Sequence, residues 1–241
     1  MTLDIKVKES RGPEPVPLPP PGLRERTTIV GPAKDPPPGL AVFVEKRTRD
    51  GLLERADSGG EMEVGGFLLG GLHSHGGRRY IDITHQVPAT TARGGRAHLT
   101  FDNDTLREFH ATHAQRYPGT LVLGWWHTHP GYGLFLSSDD LFIHRSFYAL
   151  EHHVAVVIDP FAGPKENLGV FTWGKGGVSD DAYDLVVYEV EREPVVRAHE
   201  AKRREKGSRR AAPPPLPQRP KESAEWTPRP RDSSRRKRGG A

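Results

Sequence analysis

LVLGWWHTHPGYGLFLSSDD, residues 121–140, joins an apolar run of strand length to two histidines, a serine and an aspartate at the spacing H-x-H-x7-S-x2-D. The run at 121–126 lies between two Pro-Gly pairs, which is typical of a buried strand that ends at a turn. Side chains two positions apart on an extended chain point to the same side, so His127 and His129 can share one ligand. The stretch therefore predicts a strand that ends in a pair of converging histidines.

The residues after this strand predict a helix that begins near Ser137. Asp140, three positions later, lies on the same helix face as Ser137. Two imidazoles and one carboxylate are ligands that Zn²⁺ accepts, and three protein ligands leave a fourth position for water, as in catalytic zinc sites. Ser137 and Asp140 also fit a helix capping box, a purely structural alternative that leaves the paired histidines unexplained.

A second H-x-H sequence at His73 and His75 serves as an internal comparison. Ile83 and Gln86 occupy the positions at which the serine and aspartate would stand. The sequence therefore predicts a polar loop there rather than a metal site.

The metal motif resembles that of the JAMM or MPN+ zinc metalloproteases, which remove ubiquitin and ubiquitin-like proteins. The family also has a glutamate before a Gly-rich strand, E-V-x-G-x-L-x-G, and EVGGFLLG at residues 63–70 is similar to it. The resemblance covers about residues 40–190, and VAVVIDP at 154–160 looks like the next core strand. It implies a mixed α/β fold of the MPN and cytidine-deaminase-like type, with a curved, mainly antiparallel sheet flanked by helices.

Carried over to this chain, the resemblance implies that His127, His129 and Asp140 bind one catalytic zinc ion. It also implies that Glu63 is the general base and that Ser137 donates a hydrogen bond to the oxyanion. Zinc lowers the pKa of a bound water from 15.7 to about 7, so a nearby carboxylate can accept its proton.

Several neighbouring residues leave alternatives open. Glu61 precedes Glu63 by two positions and is the alternative general base. Some family members hold a second zinc ion through further histidines and a cysteine, but Phe142 stands at one of those positions and the chain has no cysteine. We therefore expect no second zinc and read His144 as a surface or packing residue of the helix. Trp125 and Trp126 are expected to pack the core on one side and the metal cleft on the other.

The remaining elements predict more strands than helices. A helix is expected to begin with Asp102 or Asn103 as its cap and to end before Pro118. Residues 51–56 read as a short helix-tolerant segment. Further strands are predicted at 40–44, 63–69, 80–87, 154–158, 168–173 and 185–188.

Composition divides the 241 residues into three segments. Residues 1–39 are Pro-rich and predicted to be disordered, residues 40–190 form the metalloprotease domain, and residues 191–241 form a disordered basic Pro/Arg-rich tail. The tail holds 16 Lys and Arg against 7 Asp and Glu, whereas residues 1–190 hold 19 against 24. Nucleic acid or an acidic partner could bind only through this tail, and a solvated tail is the simpler interpretation.

No apolar stretch of 18 residues occurs, and the first residues lack a signal-like apolar segment. The sequence therefore predicts a cytoplasmic protein without a membrane partner, and it makes no prediction about the oligomeric state. The predicted function is zinc-dependent hydrolysis of the peptide or isopeptide bond after the C-terminus of a ubiquitin-like or sulfur-carrier protein. The alternative is an inactive scaffold of the same fold that binds partners through its tails. The chain keeps all five motif residues, which favours the enzyme over the scaffold.

Overall fold

The computed structural model describes residues 12–30, 40–90, 93–94, 99–164, 167–179 and 185–191. Among them, twelve strands and three helices form a mixed α/β fold, as predicted. In chain order the elements are β1 (Val16–Pro17), β2 (Thr27–Ile29), β3 (Ala41–Glu45), α1 (Lys46–Gly59), β4 (Gly65–His75), β5 (Arg78–Pro88), β6 (Arg93–Gly94), β7 (Leu99–Thr100), α2 (Asn103–Arg116), β8 (Leu121–Thr128), α3 (Ser138–Phe147), β9 (Val154–Ile158), β10 (Leu168–Gly174), β11 (Gly177–Val178) and β12 (Val186–Val190).

One large sheet organises these elements. Its strand order is β11-β10-β9-β8-β4-β5-β3-β12-β2, and β1 pairs with β4 outside this path. Antiparallel pairings outnumber parallel ones among the described strands, although β8 runs parallel to β9 and β3 runs parallel to both β5 and β12. Strands β6 and β7 form a separate hairpin. None of the helices in the described ranges is long and apolar enough to cross a membrane.

The centre of the sheet is almost fully buried. Strand β9 is buried along its whole length, and β4 is buried over its first six residues. Close approach between neighbouring strands requires glycine at Gly124 of β8, where an added Cβ would collide with the carbonyl oxygen of Val154. Gly124 also has a φ of 150°, which other residues rarely adopt. This close packing places the end of β8 firmly between β4 and β9.

Helix α1 is longer than the predicted segment at 51–56. It runs from Lys46 to Gly59 because Thr48, Leu52 and Ala56, spaced four residues apart, are all buried on one face. Helix α2 begins after Asp102, whose side chain accepts a hydrogen bond from the Thr105 N–H, as one of the two predicted caps.

The second H-x-H sequence lies in a strand rather than in the predicted loop. Strand β4 continues to His75 and joins β5 through Gly76 and Gly77, whose φ angles are 55° and 77°. Two consecutive glycines with positive φ favour a tight hairpin turn, so the strands remain paired up to the turn. The backbone pairing therefore extends the strand through polar residues.

Part of the Pro-rich segment at 1–39 differs from its predicted disorder. Within the described residues 12–30, β1 pairs with β4 and β2 pairs with β12. The Arg24 Nη2 atom donates to Asp82 Oδ2 at 2.6 Å, and the Tyr80 hydroxyl donates to the carbonyl oxygens of Leu18 and Pro19. These contacts with the buried sheet order a segment whose composition lacks a core of its own. The rest of 1–39 and residues 192–241 lie outside the described residues.

Candidate metal centre

The three predicted metal ligands come from two elements that meet at one end of the sheet. His127 lies in β8, between Gly65 of β4 and Val157 of β9. His129 follows the strand and donates its backbone N–H to the carbonyl oxygen of Ile158 at 2.8 Å. Asp140 lies in the first turn of α3. The strand and the helix therefore bring together residues that are 13 positions apart.

The side-chain atoms of this group point at one another. His127 Nε2 lies 3.1 Å from His129 Nε2 and 3.2 Å from Asp140 Oδ1, and His129 Nε2 lies 3.5 Å from Asp140 Oδ2. Ligand atoms about 2.0–2.1 Å from a tetrahedral zinc ion are separated by about 3.3–3.4 Å. The three side chains therefore fit a zinc ion without rearrangement, and they form the metal-type cluster found among the described residues.

Burial and charge also suit a cation. Burial lowers the pKa of His127, although Asp140 opposes this shift, so the imidazole is neutral and has a lone pair to offer. Burial alone would raise the pKa of Asp140, but hydrogen bonds from His127 and His129 hold it well below its usual value. A carboxylate that is only 8% exposed and faces two imidazole rings is stabilised by a bound cation.

The predicted capping box is present together with the metal cluster. Ser137 Oγ accepts the Asp140 N–H at 3.2 Å, and Asp140 Oδ2 accepts the Ser137 N–H at 2.7 Å. The two interpretations of this spacing are therefore compatible. The cap fixes the Asp140 carboxylate in the orientation that faces the histidines.

Glu63 stands two positions before the first residue of β4. The Thr128 N–H donates to the Val64 carbonyl oxygen at 2.9 Å, which continues the pairing of Gly65 with His127 towards the chain end of β8. In the same register Glu63, two positions before Gly65, lies opposite His129, on the sheet face that carries both histidines. Glu63 is 6% exposed. The alternative base, Glu61, is exposed.

Aromatic side chains surround the two imidazoles. The Trp125 ring stacks on the His127 ring with centroids 4.4 Å apart, and Phe135 contacts the His129 ring at 4.6 Å. Trp126 lies in the main hydrophobic core, so the two tryptophans divide between metal centre and core as predicted. Phe135 is 45% exposed and forms part of the accessible wall of the site.

Asp159 is a site-supporting residue that the sequence analysis did not identify. Its carboxylate accepts the backbone N–H groups of Gly131, Gly133 and Phe161 at 2.8–3.0 Å. Burial would raise the pKa of Asp159, but these hydrogen bonds outweigh it and lower the pKa. Asp159 thereby fixes the loop between the histidines and Ser137. The only sequence signal is an aspartate directly after a buried strand.

Two cavities lie near the sheet. One of 330 Å³ opens beside Glu63 and is also lined by Gly65, Pro88, Thr90 and Trp126. The larger, of 1140 Å³, lies over α1 and is lined largely by charged side chains, none of which belongs to the metal cluster. The smaller cavity differs from the larger one in that Glu63 lines it, and neither is lined by a residue of the metal cluster.

Comparisons with known proteins give the following matches. Residues 39–153 match the family described as JAB1/Mov34/MPN/PAD-1 ubiquitin protease. The 26S proteasome non-ATPase regulatory subunit 14 of Dictyostelium discoideum is 31% identical over 141 residues, which are 58% of this chain and 44% of that protein. The ubiquitin carboxyl-terminal hydrolase RPN11 of Saccharomyces cerevisiae is 30% identical over 136 residues, covering 56% of this chain and 40% of that protein. The match thus spans half or less of these relatives' length.

Among solved structures, protein DSY2949 from Desulfitobacterium hafniense is similar with a TM-score of 0.46 and 21% sequence identity. The superposition covers 66% of this chain and 97% of that chain.

Proposed function

Because residues 39–153 of this chain belong to the JAB1/Mov34/MPN/PAD-1 family, we propose that the protein is a zinc-dependent metallopeptidase. Its substrate is the peptide or isopeptide bond that follows the C-terminus of a ubiquitin-like or sulfur-carrier protein. The observation that carries the proposal is the buried group of His127, His129 and Asp140, with the buried Glu63 two positions before Gly65, the strand partner of His127. The names of the relatives, a proteasome subunit and a ubiquitin hydrolase, support the substrate class.

His127, His129 and Asp140 would hold a zinc ion, which when bound would supply an acidified water and a Lewis acid for the substrate carbonyl. Glu63 takes the proton of the attacking water, because its carboxylate lies on the same sheet face as both histidines. It then passes this proton to the leaving amine, which for an isopeptide bond is a lysine side chain. Burial of Glu63 keeps bulk water from competing for the proton.

Ser137 stabilises the oxyanion that develops on the substrate carbonyl. Its Oγ atom already accepts the Asp140 N–H, so its own proton remains available to donate. The cap that orients Asp140 therefore also orients the hydroxyl. The 330 Å³ cavity beside Glu63 and the exposed ring of Phe135 provide the adjoining surface for the substrate chain.

The matched pair Glu63→Gln and Glu61→Gln tests this proposal. The probes are a lysine-linked ubiquitin dimer and a sulfur-carrier protein extended by a peptide, and zinc content is measured by elemental mass spectrometry. Glu63→Gln is expected to retain zinc and to lower turnover by about 10²–10⁴-fold, because it removes a general base. Glu61→Gln should behave as wild type.

Full activity of Glu63→Gln would contradict the role of Glu63 as base and transfer it to Glu61 if that variant is inactive. Failure of the well-folded wild type to retain zinc after reconstitution would contradict the enzyme itself and favour the inactive scaffold. The cytoplasmic location and the binding of nucleic acid or an acidic partner by the basic tail remain predictions.

A further inference from the structure

The imidazoles of the metal centre lack the usual support at their second nitrogen. Histidines that bind metals generally donate the N–H of the other ring nitrogen to a carboxylate or a carbonyl oxygen, which fixes the plane of the ring. Here Nδ1 of His127 and Nδ1 of His129 are both buried and have no hydrogen-bond partner within the described part of the chain. The orientation of His127 must therefore come from packing.

Trp125 provides that packing. Its ring stacks on His127 with centroids 4.4 Å apart and an interplanar angle of 8°, and both residues are completely buried. The indole Nε1 of Trp125 donates to Nδ1 of His144 at 3.2 Å. An indole N–H can only donate, so His144 must present an unprotonated Nδ1 to it.

His144 is itself held rigidly. It lies on α3, one turn after Asp140, and is completely buried. The Trp173 ring stacks on it at 5.2 Å, and Trp173 donates its own indole N–H to the Tyr148 carbonyl oxygen at 2.8 Å. His144 therefore presents its acceptor to Trp125 from a fixed position on the helix that carries Asp140.

We propose that His144 is a positioning residue for the metal centre, acting through Trp125 on the ring plane of His127. The contact joins β8, which carries His127, to α3, which carries Asp140, and so holds the two ligands at their mutual distance. The proposal rests on the proposed metal centre. In most metal sites a neighbouring group orients a metal-binding histidine by a direct hydrogen bond. Here His144 instead accepts a hydrogen bond from Trp125, and the Trp125 ring stacks on His127.

Two substitutions separate hydrogen bonding from simple packing. His144→Gln keeps an acceptor that can reach the indole N–H, whereas His144→Leu fills much of the same space and leaves that N–H without a partner. Trp125→Phe keeps an aromatic ring against His127 but removes the donor. We call the hydrogen bond between Trp125 and His144, together with the stacking of Trp125 on His127, the clamp. If the clamp acts as a unit, Trp125→Phe and His144→Leu weaken metal binding by similar factors, and the double variant is no worse than either one.

The experiment measures zinc affinity of the full-length apo protein by chelator competition, with the visible spectrum of the Co²⁺ form as a report on ligand geometry. His144→Leu is expected to bind zinc about 10–100-fold more weakly and to show an altered Co²⁺ spectrum, because a second-layer contact is removed. His144→Gln should stay within about 3-fold of wild type. Thermal unfolding of each apo protein controls for loss of folding.

Equal affinities of all variants, with wild type binding zinc tightly, would overturn the role of His144 and leave the metal centre intact. Equal weakening by His144→Gln and His144→Leu would also overturn it, because packing alone would then explain the loss. Wild type that binds no zinc would instead overturn the proposed metal centre, and the clamp with it. If His144→Leu does not fold, Trp125→Phe carries the same test.

Discussion

Two buried carboxylates, Asp140 and Asp82, hold different regions of this molecule together in different ways. Asp140 is 8% exposed, and its hydrogen-bond partner Ser137 is three positions away. The imidazoles that face it, His127 and His129, lie near the end of β8, 13 and 11 positions earlier in the chain. Asp82 is 2% exposed, and its partners Arg24 and Tyr188 lie 58 and 106 positions away. The first region is a local motif and the second is assembled by the fold.

The partners also differ in charge. Asp140 faces two imidazole rings and the Ser137 N–H, and among the described residues no lysine or arginine pairs with it, which suits a metal ligand. Asp82 accepts hydrogen bonds from the Arg24 guanidinium at 2.6 Å and from the Tyr188 hydroxyl at 2.7 Å, so its charge is already balanced. Burial, followed by the nearby Asp82 carboxylate, raises the pKa of Tyr188, which keeps its hydroxyl protonated as a donor. Asp82 with its Arg24 partner is therefore a structural contact, and Asp140 is the candidate metal ligand.

Replacing Asp140 should have the largest effect on function. In Asp140→Ala we expect zinc content to fall from about one per chain to less than about a tenth, and turnover to fall by about 10³-fold or more, because a ligand is lost. The neighbouring exposed Asp139 provides the control, since Asp139→Ala should retain zinc and activity. Elemental mass spectrometry and a cleavage assay measure both quantities. Retention of zinc by Asp140→Ala would remove the distinction between the two carboxylates.

Replacing Asp82 should have the largest effect on stability. Asp82→Ala leaves Arg24 partly buried without its partner, so we expect the free energy of unfolding to fall by about 3–5 kcal/mol. Zinc content per folded chain should not change. Urea denaturation measures the stability, and Glu151→Gln is the control, because the exposed Arg79–Glu151 ion pair contributes at most about 1 kcal/mol. Metal loss at unchanged stability in Asp82→Ala would contradict a purely structural role.

Acid should destabilise the apo protein through His153, which directly precedes β9. Burial, followed by the charge of His152, lowers the pKa of His153 to about 4, whereas an unfolded histidine titrates near 6.5. The unfolded chain therefore binds more protons between these values, so stability is full above pH 6.5 and falls as the pH decreases towards 4. The expected loss from this residue is up to about 3 kcal/mol.

Urea denaturation of the apo protein at pH 7, 5.5 and 4.5 measures this slope. His153→Gln should flatten it. An unchanged slope in His153→Gln would show that other groups carry the acid sensitivity.

The difference between the Asp140 and Asp82 regions also explains which features could be predicted from the sequence. Local spacing predicted that His127, His129 and Asp140 belong together, because two strand positions and one helical turn fix their relative directions. The family pattern at 63–70 singled out Glu63, and only the structure shows that Glu63 is buried whereas Glu61 is exposed. The length of α1 and the extension of β4 to His75 were underestimated. The first follows from the packing of α1 on the sheet, and the second from the pairing of β4 with β5.

The sequence by itself predicted the metal motif and its helix cap, because each depends on a few neighbouring positions. The patterns of strands and helices also predicted the mixed fold. The clamp between Trp125 and His144, the loop anchor Asp159 and the ordering of the Pro-rich segment through Asp82 were not predicted. Each of these depends on strand register and on contacts between elements far apart in the chain. Local periodicity carries no information about such contacts, since they form only when the whole sheet is assembled.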